Sequence, residues 1–143
     1  MILYLDTSAL VKLYVEEEYS FVVEQAVSEA EIVATHLIAY VEAQATFARL
    51  VREGIISEGE WENIQEAFKK DWFYYMKMGI NQNLLERASE FAKAFALKAY
   101  DSVHLAAADL LLKTTRESIV FGCFDKKLNQ AAKIIGFGLI VSV

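Results

Sequence analysis

The sequence predicts an α/β fold, a three-layer α/β/α sandwich with a central, mainly parallel sheet. Short apolar segments of strand type alternate along the chain with longer segments whose apolar residues recur at helical spacing. The strand segments are apolar at nearly every position, as expected of strands that helices cover on both faces. With 143 residues and 55% hydrophobic content, the chain is long enough for one core and short for two. We therefore expect a single domain, residues 1–143.

The first half of the chain begins this alternation. MILYL at residues 1–5 is a strand-like run, and the Asp-Thr-Ser that follows passes into apolar residues at helical spacing from Ala9 onward. A helical stripe and a second short strand follow, over 19–30 and 31–35. Residues 36–53 then predict a long helix that ends before Gly54, because glycine is favoured just past helix ends.

The second half continues the pattern. Ser57 and Glu60 stand in the capping-box relation, so a helix is predicted to begin at Ser57 and to extend to Tyr75. Further helices are predicted over 81–98, 100–113 and 126–135. The remaining apolar runs predict strands over 118–124 and 139–143.

Composition bounds the function. Fourteen basic and twenty acidic residues give a net charge of −6, the wrong sign for a broad nucleic-acid-binding face. This objection does not hold if several of the carboxylates bind a divalent cation, because the metal makes the local charge near a phosphate positive. Cys123 is the only cysteine, MILYLD lacks the features of a leader, and no apolar run reaches the roughly 20 residues of a spanning helix. We therefore expect a cytoplasmic protein with no membrane association.

Three aspartates stand where an apolar segment passes into a predicted helix: Asp6, Asp101 and Asp125. Each alone is explained as a helix-capping carboxylate. Asp6 and Asp125 both follow predicted strands, however, and in a doubly wound sheet the strand-to-helix turns lie along the carboxyl edge, where ligand clefts form. We therefore expect these carboxylates to be neighbours although they are distant in the chain.

Glu42 lies inside an otherwise apolar predicted helix, where an unpaired buried charge is costly. Arg49 returns to nearly the same helix face, so a long salt bridge is one way to compensate Glu42, but a cation in a shared cleft compensates it better. Carboxylate oxygens suit Mg²⁺ or Mn²⁺, and the sequence has no Cys/His clusters that indicate structural zinc. Such a site activates water and orients a phosphodiester, which is hydrolytic nuclease chemistry.

Four blocks of the sequence carry a family resemblance: LDTSALVKLY at 5–14, AYVEAQATFARL at 39–50, LKAYDSVHLAAA at 97–108 and CFDKKLNQAAKIIGF at 123–137. In order and spacing these blocks are similar to the PIN-domain ribonucleases, and in particular to the toxins of virulence-associated toxin–antitoxin pairs. The resemblance covers essentially the whole chain. It implies a PIN-like sandwich, metal-dependent cleavage of RNA, a homodimer, and a small antitoxin protein as partner.

The same resemblance assigns roles to individual residues. The metal-holding carboxylates that it implies are Asp6, Glu42 and Asp101. Asp125 takes the place of the family's more variable fourth acid. The family usually has Thr or Ser two residues before that acid, where this chain has Cys123, a weaker hydrogen bonder that prefers burial. Ser8 matches a small hydroxyl of the first block, and it either holds Asp6 or a ligand water or simply starts a helix.

Other residues have less specific expectations. His104, three residues after Asp101, is expected to serve packing rather than catalysis. Asp109 is expected to face solvent or to pair with a lysine. The segment 61–78 holds more large apolar side chains than a one-sided helix can bury, which favours self-association over a second core layer.

Two other functions fit the same type of fold. A haloacid-type phosphatase also places Asp at strand ends around Mg²⁺, but it needs a second Asp two residues after the first, and here that position is Ser8. The other alternative is a non-catalytic PIN-like module that binds RNA or protein. The presence of all four acids argues against it.

Overall fold

The computed structural model describes residues 1–141 of the chain. Strands and helices alternate along these residues. The strands are β1 (Ile2–Leu5), β2 (Ile32–His36), β3 (Met76–Met78), β4 (Ile119–Gly122) and β5 (Gly138–Leu139). The helices are α1 (Thr7–Val11), α2 (Ser20–Glu29), α3 (Ile38–Arg52), α4 (Glu58–Trp72), α5 (Gln82–Phe95), α6 (Ala99–Thr114) and α7 (Lys126–Ile135).

The strands form one sheet in the order β3-β2-β1-β4-β5, and each of these neighbouring pairs is parallel. The predicted parallel sheet is therefore confirmed. The chain winds outward from β1 through β2 to β3, and then returns to the other side for β4 and β5. The winding direction thus reverses between β1 and β4. In doubly wound sheets the ligand crevice lies outside the carboxyl ends of the strands at this switch point.

Helices cover both faces of the sheet, which confirms the three layers. Side chains along β1 alternate between the faces. Tyr4 packs into the core formed with α5, α6 and α7, whereas Leu3 and Leu5 pack into the core formed with α1 to α4. All three side chains are fully buried, and burial of a leucine contributes about 1.5–3 kcal/mol. Burial on both faces explains why the strand segments are continuously apolar.

The strands β1 and β4 approach each other closely at Gly122. A Cβ atom at Gly122 would lie 2.6 Å from Leu5 Cδ2 and 3.3 Å from the Tyr4 carbonyl oxygen. The backbone N–H of Asp6 donates to the carbonyl of Gly122 at 3.0 Å. Glycine therefore allows the carboxyl ends of β1 and β4 to lie side by side, which brings Asp6 and Asp125 to one edge of the sheet.

Several predicted helix ends are confirmed by their capping contacts. Ser57 Oγ accepts a hydrogen bond from the Glu60 backbone N, and the Glu60 carboxylate accepts one from the Ser57 backbone N, both at 3.1 Å. This is the predicted capping box at the start of α4. α3 ends just before Gly54, whose φ of 72° lies in the left-handed region that glycine adopts easily.

One strand was not predicted. The helix expected to reach Tyr75 ends at Trp72, and residues 76–78 form β3, which pairs with β2 at the edge of the sheet. Lys77 Nζ donates to the carbonyl oxygen of Trp72 at 2.7 Å, so it satisfies an acceptor that α4 leaves free. A strand of three residues is too short to show alternation, and helical periodicity therefore extends falsely through it.

The aromatic segment 61–78 is divided between core and surface. Phe68 is fully buried, and Trp72 and Tyr75 are half-buried against the same core. A second core layer therefore takes part of the segment. Phe73 and Tyr74 remain 77% and 78% exposed, with their rings packed edge to face. Met76 is also exposed, at 37%, so the surplus apolar surface that favoured self-association consists mainly of Phe73 and Tyr74.

The last described residues, 140 and 141, do not continue the predicted strand. The strand expected over 139–143 begins one residue earlier and is β5, Gly138–Leu139, while residues 142 and 143 lie outside the described part. The predicted helix over 126–135 is confirmed as α7. None of the helices within residues 1–141 has the length and apolar character needed to cross a membrane.

Candidate active site

Asp6 is the first residue after β1 and the N-cap of α1. Its Oδ1 accepts hydrogen bonds from the Ala9 backbone N at 2.9 Å and from Ser8 Oγ at 2.7 Å. Of the roles considered for Ser8, the structure therefore has it holding Asp6. Asp6 is only 4% exposed, and this burial raises its pKa above the ordinary value, although the nearby His104 and these two hydrogen bonds oppose the shift. An ionised Asp6 thus lacks full compensation within the protein.

Glu42, on α3, receives two hydrogen bonds on one oxygen. Thr7 Oγ1 donates to Glu42 Oε1 at 2.6 Å, and His104 Nε2 lies 3.0 Å from the same oxygen. Because an ionised carboxylate only accepts, Nε2 carries the hydrogen in this contact. Burial acts to raise the pKa of Glu42, but the hydrogen bonds from His104 and Thr7 bring the pKa below its ordinary value. Arg49, considered as a partner for Glu42, instead pairs with Glu53 at 3.2 Å.

His104 connects Glu42 to the core of the protein. Its Nδ1 lies 2.9 Å from the Tyr4 hydroxyl, and both residues are buried. Burial, together with the nearby charges of Asp6 and Glu42, raises the pKa of the Tyr4 phenol well above its ordinary value. The expectation that His104 serves packing is incomplete, because its ring also holds Glu42. The sequence does contain one indication of this role, because a histidine that is buried within an apolar helix needs hydrogen-bond partners.

Asp101 lies in the first turn of α6. Burial raises the pKa of Asp101, and the negative charges of Asp6 and Asp125 raise it further. These carboxylates come from three separate segments of the chain, and Asp6 and Asp101 line the same cavity, whereas Asp125 lies outside its lining but close enough for its charge to act on Asp101. The expected convergence of Asp6, Asp101 and Asp125 is therefore present in the structure.

Asp125 stands at the edge of the acidic group. As the N-cap of α7, its Oδ1 accepts from the backbone N atoms of Lys127 at 3.1 Å and Leu128 at 3.3 Å. Its side chain is exposed. Cys123 is buried, as expected, and its Sγ accepts from the Asp125 backbone N at 3.3 Å. Asp125 thus caps a helix while adding negative charge near Asp101.

The other acids share one cavity. A cavity of about 540 Å³ opens at the carboxyl edge of the sheet, within the size range of ligand sites. Asp6, Glu42 and Asp101 line it together. Its wall also carries two basic side chains, Lys12 and Arg49. The cavity therefore combines carboxylates with two basic side chains, of which Lys12 also pairs with Glu17 and Arg49 with Glu53.

The donor atoms of this cavity suit a hard divalent cation, because they are the carboxylate oxygens of Asp6, Glu42 and Asp101. Both bonds to Glu42 fall on Oε1, and across residues 1–141 no hydrogen-bond partner is found for the other oxygen. As they stand, no three His, Cys, Asp or Glu side chains in the described part of the chain are grouped tightly enough to hold a metal. The oxygen donors thus have the chemistry that a hard cation prefers, whereas their present spacing does not form a closed set of ligands.

Asp109, on the same helix as Asp101, has a structural role. Its Oδ2 lies 3.0 Å from Arg87 Nε and 3.0 Å from Lys113 Nζ. The expected pairing with a lysine is therefore confirmed. The expectation that Asp109 faces solvent is wrong, because the residue is 3% exposed.

Comparisons with known proteins identify the family. A family model described as the PIN domain matches residues 3–134. Ribonuclease VapC45 of Mycobacterium tuberculosis is 26% identical over 94% of this chain and 92% of its own length. Ribonuclease VapC3 of Pyrobaculum aerophilum is 31% identical over 76% of this chain and 82% of its own length.

Solved structures share the fold. The crystal structure of VapBC2 from Rickettsia felis bound to a promoter DNA fragment has a TM-score of 0.64 at 13% identity and 97% coverage of both chains. A toxin–antitoxin complex from Klebsiella pneumoniae has a TM-score of 0.59 at 19% identity and 82% coverage of both. Both structures have the same fold, and the chain belongs to the PIN domain family.

Proposed function

We propose that this chain is a cytoplasmic endoribonuclease that depends on Mg²⁺ or Mn²⁺, formed by one domain over residues 1–143, and that it is the toxin of a toxin–antitoxin pair. The observation that carries the proposal is that Asp6, Glu42 and Asp101 line one cavity at the switch point of the sheet. Carboxylates gathered in this way suit phosphodiester hydrolysis with a divalent cation. The relatives named ribonucleases support the same reaction class.

Each residue has a defined task in this proposal. Asp6, Glu42 and Asp101 hold the cation, and Asp125 contributes charge from the edge. When bound, the cation supplies Lewis acidity that lowers the pKa of water and balances negative charge on the phosphate. Ser8 fixes the orientation of Asp6, and Thr7 and His104 fix that of Glu42. The orientations of Asp6 and Glu42 are thus set by protein contacts before substrate arrives.

The proposed products follow from the nucleophile. Attack of water on phosphorus expels the 3′-oxygen and leaves a 5′-phosphate and a 3′-hydroxyl. Attack by the substrate's 2′-hydroxyl would leave a cyclic phosphate and needs an acid and a base, usually histidines. In this chain His104 is engaged by Tyr4 and Glu42, and His36 is buried in β2. The two histidines therefore offer no free acid–base pair.

The proposal includes two protein partners. Similarity in fold to a toxin–antitoxin complex supports a small antitoxin protein as one of them. The exposed Phe73 and Tyr74 support a homodimer, because neighbouring exposed aromatic side chains are unusual on a monomer. RNA is the proposed substrate of the assembled enzyme.

Cleavage of end-labelled RNA by the purified chain tests this function. We expect cutting with Mg²⁺ or Mn²⁺, none with EDTA, and 5′-phosphate ends on the products. Asp6→Asn and Asp101→Asn should each lower the rate by about 100-fold or more, because loss even of outer-shell partners of metal ligands costs about 10- to 100-fold. Glu66→Gln, a change at an exposed acid of α4, is the matched control and should cut normally.

The outcomes separate mechanism from substrate. Cyclic phosphate ends, cleavage that resists EDTA, or full activity of Asp101→Asn would each contradict the mechanism. Equal cleavage of DNA would contradict only the assignment of RNA as substrate. Binding of RNA and metal with no cleavage under any of these conditions would favour the alternative function, a non-catalytic PIN-like module.

A further inference from the structure

We propose that Tyr19 and Phe124 form an aromatic platform that binds one nucleobase of an RNA strand at the rim of the acidic cavity. This inference rests on the proposed function, because a nucleobase is the ligand only if the substrate is RNA. The inference adds a binding contact outside the carboxylates, and it assigns that contact to two residues that none of the site chemistry above uses.

The two rings are arranged as a stacking surface. Their centroids lie 5.1 Å apart, and their planes differ by only 15°. Tyr19 nevertheless remains 47% exposed as a residue although its ring stacks on Phe124. A packing contact alone would favour burial of both rings. Proteins that bind single-stranded RNA present open aromatic faces of this kind, on which unpaired bases stack.

The platform lies beside the cavity. Phe124 immediately precedes Asp125, whose charge raises the pKa of Asp101. On the other side, Lys12 Nζ lies 4.9 Å from the centroid of the Phe124 ring. Lys12 also lines the acidic cavity together with Asp6. One lysine thus contacts the platform and the cavity that holds the carboxylates, so a single strand of RNA can reach both.

The electrostatics favour stacking as a source of affinity. A chain with a net charge of −6 gains little from general attraction to phosphates. Lys12 supplies positive charge at the cavity wall, but its ammonium group already pairs with Glu17 at 2.9 Å. Base stacking needs no net charge, and it is therefore a contact by which an acidic nuclease can retain its substrate.

The backbone at Tyr19 adds a second observation. Its φ of 70° and ψ of 4° lie in the left-handed region, which a residue with a side chain rarely adopts. Within the described residues, Ala96 is the only other residue besides glycine with positive φ. Glycine would occupy the position without strain, yet the chain has a tyrosine there. Strained conformations of this kind cluster at binding sites, where they direct a side chain.

Binding of short homopolymers tests the platform. Labelled oligo(U), oligo(A) and an abasic ribose–phosphate oligomer of the same length are titrated by fluorescence anisotropy in Mg²⁺, with Asp101→Asn in every protein to prevent cleavage. The reference protein should bind at least one base-bearing oligomer about tenfold more tightly than the abasic one. Tyr19→Gly suits the left-handed backbone but removes the ring, and it should abolish this preference. Tyr19→Phe keeps the ring and should retain it.

Phe21→Ala is the matched control. Phe21 is 72% exposed in the first turn of α2, the helix that Tyr19 precedes, and lines a different groove, with Met1 and Leu139, so its removal should leave the base preference unchanged. Thermal unfolding verifies that every variant is folded. A reference protein without base preference, or a preference that survives in Tyr19→Gly, overturns the platform, and the second result would leave the rings to a protein partner. Cleavage by the unsubstituted chain is scored separately, so RNA that is cut without a platform effect contradicts this inference alone.

Discussion

The buried acids of the cavity set the pH behaviour of the chain in the absence of metal. Burial raises the pKa of Asp6 and Asp101, and the charge of Asp6 raises the pKa of Asp101 further. In the unfolded chain each group returns to its ordinary value, 3.8 for an aspartate. Through Asp6 and Asp101 the folded state therefore binds more protons than the unfolded state between that value and the raised one, whereas the lowered pKa of Glu42 acts in the opposite sense only below its ordinary value of 4.5. Its unfolding free energy falls as the pH rises through this window.

Asp101→Asn should therefore stabilise the metal-free protein at neutral pH. Asparagine has a similar shape to aspartate and removes the charge that the cavity disfavours. Thermal unfolding followed by circular dichroism in EDTA should give a higher midpoint for Asp101→Asn than for the parent at neutral pH. The difference should shrink as the pH falls toward 3.8, where the parent carboxyl is also protonated.

The control for this prediction is Glu66→Gln, an exposed change that should give no such pH-dependent difference. Addition of Mg²⁺ should reverse the order, because a cation that binds only the folded parent stabilises it. A lower midpoint for Asp101→Asn in EDTA at neutral pH would show that its carboxylate is already compensated within the protein.

His104 should control metal affinity through Glu42. Removal of the imidazole leaves Glu42 Oε1 with Thr7 as its remaining donor. We expect His104→Ala to lower the affinity for Mn²⁺ in calorimetry by about 10- to 100-fold, the usual effect of losing an outer-shell partner. His104→Gln offers an amide N–H to the same oxygen and should recover part of the loss.

Tyr4→Phe gives the matched comparison, because it deletes only the hydroxyl that contacts His104 Nδ1. Its effect on affinity should have the same sign and be smaller. Unchanged Mn²⁺ affinity in a folded His104→Ala variant would show that the contact between His104 and Glu42 does not affect metal binding.

Residues of the site differ in how readily the sequence predicts them. Asp6 and Asp125 follow strands, and a parallel sheet brings such positions to one edge whatever the details of packing. The partners of Glu42 depend on contacts between distant segments: Thr7 and His104 are 97 residues apart, and each reaches the same carboxylate oxygen. Periodicity and spacing contain no information about such distances, so these donors emerge only from the structure.

Helices and strands whose ends depend on nearby residues are predicted well from the sequence, whereas those that depend on tertiary contacts are not. The ends of α7 and the start of α4 depend on nearby residues, such as the capping box of Ser57 and Glu60, and the sequence predicts them well. The end of α4 and the strand β3 depend on Lys77 bonding back to Trp72 and on pairing with β2. The hydrophobic periodicity of the segment does not predict these contacts.

The contact between β1 and β4 predicts a destabilising substitution. Gly122→Ala places a methyl group against Leu5, which is fully buried and has little room to move, and against the Tyr4 carbonyl. Overpacking of this kind typically costs about 1–3 kcal/mol of unfolding free energy. Denaturant unfolding should show that loss, together with weaker Mn²⁺ binding as the two strand ends shift.

Gly138→Ala in β5 is the control, since its Cβ would lie 3.6 Å from Val120 Cγ2, an ordinary contact distance. It should change the unfolding free energy by much less. Equal stability of Gly122→Ala and the parent would mean that β1 and β4 can separate without cost.

At the scale of the whole molecule, the topology explains why the acids meet. The reversal of winding between β1 and β4 opens a crevice at the carboxyl edge, and Asp6 and Asp125 begin the helices on its two sides. The sequence predicts a parallel, doubly covered sheet from its apolar strands. The order of the strands was not predicted, because it depends on which edges the crossing helices cover. The overall charge of −6 predicts nothing about this local arrangement.

Self-association is the property of the whole molecule that the surface predicts. Phe73 and Tyr74 lie between α4 and β3, an edge strand, and are 77% and 78% exposed. An exposed aromatic pair beside an open strand edge is a typical protein contact. We expect the parent chain to sediment as a dimer at micromolar concentrations. Phe73→Ser combined with Tyr74→Ser should weaken the dimer by about tenfold or more, because large aromatic side chains dominate interface energies.

The double variant should leave the monomer fold intact, because neither side chain belongs to the two cores. Phe21→Ser combined with Ile134→Ser removes two side chains that are 72% and 73% exposed on α2 and α7, and this matched variant should remain a dimer. Comparison of the two variants separates a specific interface from a general loss of surface hydrophobicity. A parent chain that sediments as a monomer at these concentrations would remove the interface, as would equal dissociation of both variants. The carboxylates and the cavity lie within one chain. We therefore expect the Phe73→Ser and Tyr74→Ser double variant to cleave RNA at the parent rate even as a monomer.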